Sequence, residues 1–264
     1  MNIGDWEIHA VHDGTGTEQA GEIISRFSDP EAWRRHPEQF GRDGRWTFPV
    51  GGFLVRGGDR TILVDAGVGP IDEGGYAGGG LLASLHALGV EPGDVTDVLF
   101  THLHFDHVGW ASLDGEATFP RATYRAHRAD WERFVDGGDD DDRTRRALLP
   151  VADRFELFDA DLTLAPGVDV RWMPGHTPGT VVVTVASGAE RAILLGDAAH
   201  AVVQLAERDW TVVWDADPLA ASAVRNALAD EAAARGDVVV AAHFPGMGFG
   251  RVVEAEGERR FVPS

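Results

Sequence analysis

Short apolar runs alternate with amphipathic stretches along most of the chain. The runs are rich in Val, Leu and Ile and lie between glycine or polar residues, a pattern typical of strands buried on both faces. The predicted strands are 52–55, 61–64, 95–100, 181–183, 192–195 and 238–240. The predicted helices are 81–88, 128–134, 144–149 and 218–235, the last with Asp217 as N-cap and Pro218 at its first position. Because sheet and helix alternate throughout, we predict an α/β layered domain.

Residues 15–45 break this alternation. The segment is polar and rich in Arg, Glu and Gly, with Trp33 and Phe40 as isolated aromatics. It could form a flap over a site, or a subunit contact of a homodimer. No Pro- or Ser-rich linker divides the chain, and the candidate ligands described below are spread from position 65 to position 243. We therefore predict one domain over residues 1–264.

Composition narrows the expected partners. The 264 residues include 43 acidic and 23 basic side chains, and the resulting net charge of -20 would repel a nucleic acid. With no cysteine, the chain has no disulfide and any metal must be bound by nitrogen and oxygen. No basic segment followed by an apolar one opens the chain, and no run of about 18 apolar residues occurs. We expect a soluble cytoplasmic protein without membrane contact. For the acidic run at 137–142, a solvated loop is favoured over a cation site.

The densest cluster of polar chemistry follows the apolar run 95–100, where a buried strand ends. Strand ends are where α/β folds place their sites. The candidate ligands there are His102, His104, Asp106 and His107. Strand alternation directs the first two side chains the same way, and the following turn redirects the last two. Two neighbouring metal sites would accommodate both directions.

Three later apolar strands carry one ligand-type side chain each at an end. His176 precedes the run 181–183, Asp197 follows Leu195, and His243 follows the run 238–240. Each has a structural explanation when taken singly, but together with the first cluster they predict one metal centre. Imidazole and carboxylate ligands favour zinc, which lowers the pKa of bound water to near 7. Iron and manganese remain open.

These residues resemble the metallo-β-lactamase superfamily, whose His-x-His-x-Asp-His motif is matched in full, as are its later His, Asp and His. The resemblance extends from about Gly51 to Val253 and implies an αββα sandwich with the site at one edge of the two sheets. It implies a first zinc ion at His102, His104 and His176, and a second at Asp106, His107 and His243. Asp197 would bridge the two zinc ions together with a hydroxide, and Asp65 would support the ligands from behind.

Two stretches, 196–204 and 242–248, look like the lactonase and methyl-parathion-hydrolase branch of this superfamily. Lactonases of this kind typically carry a tyrosine three residues after the bridging aspartate, where this chain has His200, as in the organophosphate hydrolases. His200 could donate a hydrogen bond to a developing oxyanion, shuttle a proton to the leaving alkoxide, or cap the following segment. Candidate pocket residues are Trp46, Phe48, Phe105, Trp110, Phe244, Met247 and Phe249, about half of which we expect to touch substrate.

The expected function is a dinuclear zinc hydrolase that attacks an ester or lactone carbonyl with a metal-bound hydroxide, with Asp106, Asp197 and His200 as catalytic residues. The substrate would be a small molecule, such as an acyl homoserine lactone. The same fold also allows a thioesterase or cyclase of a biosynthetic pathway, a phosphotriesterase or a β-lactamase. A protein that binds metal without turnover is a further alternative, against which the complete set of seven ligands argues. No Ser-His-Asp order supports a covalent acyl-enzyme.

Overall fold

The computed structural model describes residues 1–137 and 142–264, so most of the acidic run 137–142 lies outside the described residues. The strands are β1 (Asn2–Ile3), β2 (Trp6–Gln19), β3 (Ile24–Arg26), β4 (Arg45–Gly57), β5 (Arg60–Val64), β6 (Asp72–Glu73), β7 (Tyr76–Ala77), β8 (Asp97–Leu99), β9 (Ser112–Leu113), β10 (Glu116–Ala117), β11 (Thr123–His127), β12 (Phe155–Phe158), β13 (Leu162–Ala165), β14 (Val168–Trp172), β15 (Val181–Ser187), β16 (Glu190–Leu194), β17 (Trp210–Val212), β18 (Val238–Val240), β19 (Gly250–Ala255) and β20 (Glu258–Pro263). The helices are α1 (Ala20–Ile23), α2 (Pro37–Phe40), α3 (Leu81–Ala87), α4 (Phe105–Val108), α5 (Arg128–Trp131), α6 (Asp142–Leu148), α7 (Val203–Ala206) and α8 (Pro218–Arg235).

Two large sheets form the centre of the structure. The first has nine strands in the order β12-β11-β8-β5-β4-β2-β7-β6, with β1 beside β2. The second has seven strands in the order β13-β14-β15-β16-β18-β19-β20. Four neighbouring pairs are parallel, namely β5-β8, β8-β11, β11-β12 and β16-β18. Parallel neighbours need crossover connections, which here carry helices over the outer faces of the sheets.

Alternation along the strands sorts the apolar side chains into layers. The cluster between the two sheets includes Phe53, Val55, Val64, Val183, Leu194 and Val240. The intervening Leu54 and Leu63 point outward into a cluster with Leu81 and Leu85 of α3. Val182 and Val239 of the second sheet join a cluster with Leu228 of α8. The layer order is helix, sheet, sheet, helix, which confirms the αββα prediction.

The predicted elements correspond to observed ones. The six apolar runs fall in β4, β5, β8, β15, β16 and β18. Helix α8 has the predicted bounds, because the Asp217 carboxylate accepts the Ala220 N–H at 3.0 Å and Gly236, at φ 71°, ends it. The predicted helix 128–134 is shorter, since α5 gives way to a π-helical turn at Glu132–Asp136. Within the described part of the chain, no helix is both long and apolar enough to cross a bilayer.

Residues 15–45 are packed into the structure. Trp33 and Phe40, which are isolated aromatics in the sequence, are buried in one cluster with Trp210. Strand β3 pairs antiparallel with β17, which joins this segment to the loop region after Asp197. A role as a flap or subunit contact stays a prediction.

Candidate metal centre

The ends of four central strands bring the predicted ligands together. His102 and His104 follow β8, and α4 then turns Asp106 and His107 back toward them. A tight turn after β16 presents Asp197. Its Gly196 adopts φ 51°, and a Cβ there would lie 2.6 Å from the Thr101 hydroxyl oxygen, so only glycine permits this approach. His176 precedes β15 and His243 follows β18.

The first set of ligand atoms comes from His102, His104, His176 and Asp197, all within 4.8 Å of one another. The Nδ1 atom of His104 lies 3.1 Å from the Nε2 atoms of both His102 and His176. Asp197 Oδ2 lies 3.7 Å from His102 Nε2 and 3.5 Å from His176 Nε2. Three imidazole nitrogens and one carboxylate oxygen therefore converge, a donor set that suits zinc.

The second set consists of Asp106, His107 and His243, whose ligand atoms also lie within 4.8 Å of one another. The Nε2 atoms of His107 and His243 lie 3.9 and 3.6 Å from Asp106 Oδ2. Both nitrogens are 3.3 Å from Asp197 Oδ1. The two oxygens of Asp197 thus face different sets, which is the geometry that a bridging carboxylate needs.

The outward-facing nitrogens of four histidines have partners that fix the ring tautomer. His107 Nδ1 donates to Asp65 Oδ2 at 2.9 Å, and His176 Nδ1 donates to Asp215 Oδ1 at 3.1 Å. His243 Nδ1 donates to the Pro49 carbonyl at 2.9 Å, and His102 Nδ1 lies 3.1 Å from the Thr101 hydroxyl. With these protons placed outside, each Nε2 lone pair is left facing the centre, as a metal ligand requires.

Asp65 carries more than one of these contacts. Its φ of 63° is rare for a residue other than glycine, and it turns the carboxylate toward the end of β8. There it accepts the Thr101 N–H at 2.7 Å and the Thr101 hydroxyl at 2.8 Å, beside its bond to His107. Asp65 therefore lies behind His107, at the position that the sequence resemblance implied for a carboxylate supporting the ligands.

Several buried polar atoms at the centre lack a hydrogen-bond partner among residues 1–137 and 142–264. They include His107 Nε2, Asp197 Oδ1 and both ring nitrogens of His200. Unpaired buried polar atoms are costly, and four at one point indicate a missing partner. Divalent cations between the two sets would satisfy the first two, so the residues present fit a metal centre.

Charge and burial compete at these histidines. Burial lowers the pKa of His102 and His104 well below its ordinary value. At His107 and His243 burial acts in the same sense and is the largest single effect, but the neighbouring carboxylates, Asp197 foremost among them, together outweigh it and raise the pKa. Burial would raise the pKa of Asp197 itself, yet the surrounding imidazoles hold it well below the usual range. The bridging carboxylate is therefore ionised and available to cations.

The structure adds a buried support that sequence reasoning missed. Asp215 accepts from His176 and also lies 3.4 Å from the guanidinium of Arg225, whose side chain is 2% exposed. Arg225 donates further to the carbonyls of Ala198 and Trp210 at 2.7 Å each. Arg225 could have been found from the sequence, because it is a charged residue on the apolar face of α8. Asp215 lies in a loop, where no sequence pattern indicates its role.

A second missed carboxylate joins two ligand loops. Asp130 accepts the Leu103 N–H at 3.0 Å and the Thr177 hydroxyl at 2.8 Å through Oδ2. Its Oδ1 accepts the Gly179 N–H at 2.6 Å. Burial raises the pKa of Asp130 to about 6, although these bonds oppose the rise. The loops that carry His104 and His176 are thereby held to one buried group.

His200 lies at the centre but outside both ligand sets. Its side chain is fully buried, and Nε2 lies 3.1 Å from Asp197 Oδ2. Its ring is 4.8 Å from that of His176 and 5.6 Å from that of Trp214. Gln204, rather than the His200 ring, caps the following segment, because its Oε1 accepts the backbone N–H of His200 and Ala201.

A cleft of about 350 Å³ opens onto the centre. Its lining residues are Glu18, Gly74, Tyr76, His104, Phe105, Asp106, Arg143, Asp197 and Trp214. Of the predicted pocket residues, Phe105 lines this cleft, and Trp46 and Phe48 line a neighbouring cavity of about 380 Å³ that reaches His243.

The remaining predicted pocket residues lie in apolar clusters. Trp110 belongs to the cluster around α3, Phe244 to the cluster against α8, and Met247 and Phe249 to the layer between the sheets. None of the four lines the cleft or the neighbouring cavity. In this structure these four side chains pack in the core, since aromatic and thioether groups next to a ligand in sequence also fill the core beneath it, and a pocket role for them stays a prediction.

Comparison with known proteins places this centre in a family. An N-acyl homoserine lactonase of Bacillus cereus is 26% identical over 164 residues, which are 56% of this chain and 62% of the lactonase. The chain thus spans less than two thirds of the length of that relative. A crystal structure of the hydrolase AbOPH, described as in the beta lactamase superfamily, is 25% identical and superposes with a TM-score of 0.86, covering 100% of this chain and 96% of the other.

The dizinc quorum-quenching lactonase AidC, in complex with a product, has the same fold. Its TM-score is 0.88 at 22% identity, with 100% of this chain and 96% of AidC covered. A profile of the Metallo-beta-lactamase superfamily matches residues 47–243, which contain the seven candidate ligands. This chain belongs to the metallo-β-lactamase superfamily.

Proposed function

We propose that this chain is a hydrolase that opens a lactone or a related ester at a dinuclear zinc centre. The observation that carries the proposal is the position of Asp197, with one carboxylate oxygen toward each ligand set. The relatives support it, because the curated one is named an N-acyl homoserine lactonase and the solved AidC structure is described as a dizinc lactonase.

The residues that would hold the two ions follow from the two sets. His102, His104 and His176 would hold one ion, Asp106, His107 and His243 the other, and Asp197 both. Zinc bound there would supply a water of lowered pKa and polarise the substrate carbonyl. Zinc is preferred because all donors are imidazole or carboxylate, while iron and manganese bind similar donors.

The chain's own residues would position the reacting groups. His200 is fully buried, and its Nε2 lies 3.1 Å from Asp197 Oδ2. An N–H of this ring can donate to the oxygen that gains charge when water adds to the carbonyl carbon. As the lactone C–O bond breaks, the imidazole can relay to the leaving alkoxide oxygen a proton that the attacking water released, accepting one proton at one nitrogen and giving one up at the other, so that the ring stays neutral.

Asp106 lies at the boundary between the centre and the cleft. Its carboxylate is 10% exposed and lines the cleft, while Oδ2 points toward His243. It can hold a proton released by the attacking water until the alkoxide takes it up. Phe105 and Trp214 line the same cleft and would limit the entry of water beside a bound substrate.

A second candidate is phosphotriester hydrolysis on the same centre. The observation that favours it is His200, which stands where lactonases of this kind typically carry a tyrosine and where the chain resembles the organophosphate hydrolases. Thioester hydrolysis or cyclisation and β-lactam hydrolysis use the same attack on an electrophilic centre. The substrate test therefore needs all of these classes.

The test has two parts. Elemental analysis of protein purified without chelator should find close to two zinc ions per chain, and one firmly held ion with Asp106 uncoordinated would contradict the dinuclear centre. The kcat/KM values are then compared for acyl lactones of rising chain length, a phosphotriester, a phosphodiester, a thioester and a β-lactam. Neutral lactones should be turned over best and the phosphodiester worst, because a net charge of -20 disfavours anions. Inert lactones beside an efficiently processed rival would refute the lactonase proposal and leave the metal centre standing.

A further inference from the structure

A buried carboxylate outside the metal centre holds a loop that lines the cleft. Asp13 belongs to neither ligand set found among the described residues and is 5% exposed. It is the extra residue of a β-bulge in β2, between the pairs His12–Gly51 and Gly14–Val50. A bulge re-aims the side chain of the extra residue, so the bulge explains why a charged side chain of β2 is directed into the protein.

The Asp13 carboxylate accepts four backbone N–H groups from the two ends of one loop. Its Oδ2 accepts the N–H of Val68 at 2.8 Å and that of Gly69 at 3.0 Å. Its Oδ1 accepts the N–H groups of Gly79 and Leu81 at 3.0 Å each. Buried backbone donors without an acceptor are costly, so this one side chain keeps both ends of the loop in place.

The loop between these ends, residues 66–81, is called the Asp13 loop below. It contains β6 and β7, and its Gly74 and Tyr76 line the cleft. The Tyr76 ring meets Phe105 edge-on at 4.9 Å between ring centroids, and Phe105 also lines the cleft. In the middle of the loop, β7 pairs with β2 over two residues, and a pairing this short is weak by itself. The position of one side of the cleft therefore depends on the bonds to Asp13.

The Asp13 loop closes tightly around the carboxylate. A Cβ at Gly67, where φ is 55°, would lie 2.7 Å from Asp13 Cγ, and a Cβ at Gly78 would lie 2.9 Å from Oδ2. The indole N–H of Trp110 donates to Oδ1 at 2.8 Å in addition to the backbone donors. This close enclosure leaves no room for a longer side chain, and donors at both oxygens leave no place for an amide NH₂ group.

We propose that Asp13 is a positioning residue for substrate binding, which holds both ends of the Asp13 loop so that Gly74 and Tyr76 line the cleft before substrate enters. This inference rests on the proposed function only in that substrate binds in the cleft, and it applies to a lactone and to the rival substrate classes alike. The metal ions should be unaffected, because Asp65 supports His107 through a hydrogen bond of its own.

Loss of this hold should act on binding and leave the chemical step intact. If the Asp13 loop is in place for only part of the time, the apparent affinity for substrate falls by that fraction. The complex that reacts still has the loop in place. KM should therefore rise while kcat stays within about twofold of wild type. A general loss of stability would not separate KM from kcat in this way, since the molecules that remain folded would bind substrate normally.

The experiment compares four zinc-loaded proteins, namely wild type, Asp13→Asn, Asp13→Glu and the control Asp97→Asn. Asp13→Asn replaces one acceptor oxygen with a donor and should release one end of the loop. Asp13→Glu keeps the charge but displaces the carboxylate, and it carries the test if Asp13→Asn does not fold. Asp97 is a buried carboxylate that does not line the cleft. The substrate is the compound that wild type turns over best among a lactone, a phosphotriester, a thioester and a β-lactam.

KM should rise about 10-fold in both Asp13 variants, with kcat within about twofold of wild type and with unchanged metal content by elemental analysis. Asp97→Asn should keep the wild-type KM. Backbone hydrogen exchange within residues 66–81, followed by mass spectrometry, should be about 10-fold or more faster in the Asp13 variants and unchanged in the control. A wild-type KM in both Asp13 variants would overturn the proposal even if exchange became faster, and so would a fall in kcat that follows loss of metal.

Hydrogen exchange also separates this inference from the proposed function. If wild type turns over none of the four compounds, the proposed function fails, and exchange alone then decides the role of Asp13. Faster exchange confined to residues 66–81 supports the positioning role. Exchange equal to that of wild type in this loop, or raised equally along the whole chain, refutes it.

Discussion

The floor and the wall of the cleft are built in different ways. The floor consists of the seven candidate ligands and His200, which come from strand ends and are held from behind by buried partners such as Asp65 and Asp215. The wall consists of Glu18, Tyr76 and Phe105 with neighbouring side chains, which come from β2, β7 and α4 and are held mainly by ring contacts. Hydrogen bonds to buried partners fix the geometry of the floor. Residues of the wall can be replaced by other residue types without disturbing that geometry. We infer that the floor determines the reaction and the wall determines the substrate.

The largest effect is expected where the floor serves both ligand sets. In Asp197→Ala each ion would lose a ligand, so turnover should fall by about 10⁴-fold or more. The sandwich core does not depend on this side chain, and the far-ultraviolet circular dichroism should stay that of wild type. Elemental analysis should show that metal content falls together with activity. Near-normal turnover in this variant would show that Asp197 does not bridge.

His200 separates chemistry from metal binding within the floor. His200→Ala should lower kcat by about 10² to 10⁴-fold, the scale of a lost oxyanion donor or general acid. Metal content should stay unchanged, because His200 belongs to neither ligand set. His127→Ala is a matched control, since that ring stacks on Trp172 away from the cleft. A variant with normal kcat and reduced thermal stability would assign His200 a structural role.

The supports of the floor should have smaller effects, each on one ion. Asp215→Asn removes the charged partner of His176 and should weaken the ion of the first set by about 10 to 100-fold. Asp65→Asn should do the same to the second set through His107. Competition with a chromophoric chelator measures both affinities.

The control for these supports is Asp97→Asn. Asp97 is a buried carboxylate at the opposite end of β8, paired with Arg60 and Arg125. Its replacement should lower the free energy of unfolding but leave both metal affinities as in wild type. If all three variants weakened metal binding equally, the effect would come from general loss of stability and the assignment of separate supports would be wrong.

The residues of the floor could be proposed from the sequence alone, because the patterns that indicate them are local. Each ligand stands beside an apolar run or a few residues from one, and the continuous apolar character of those runs predicts strands buried on both faces. The same logic predicted the strands of the sandwich centre, such as β5 and β18, and helix α8 with its cap at Asp217. The ligand roles, a single domain over 1–264, a cytoplasmic location and a homodimer stay predictions.

The wall and much of the sheet edge could not be predicted in the same way. Strand β2 is 14 residues long, yet its sequence mixes charged, small and apolar residues, because its partner β4 and not its own pattern determines its pairing. Glu18 and Tyr76 are 58 positions apart in number and meet only through the β2-β7 pairing. Asp130 and Asp215 bond to loops far away in sequence, so neither has a local signal.

The smallest effect on activity is expected for a residue that sequence reasoning placed in the pocket and the structure places in the core. Trp110 is 5% exposed, and its indole N–H donates to Asp13 at 2.8 Å. Trp110→Phe removes that bond and leaves a small cavity, so the free energy of unfolding should fall by about 1 to 3 kcal/mol in chemical denaturation. The kcat/KM for a lactone should stay within about twofold of wild type, because the ring lines neither the cleft nor the cavity at His243. Phe105 lies within the ligand motif but lines the cleft. Phe105→Leu should therefore change the preference for acyl chain length instead. A Trp110→Phe protein that kept its stability and changed its chain-length preference would move Trp110 from the core into the substrate pocket.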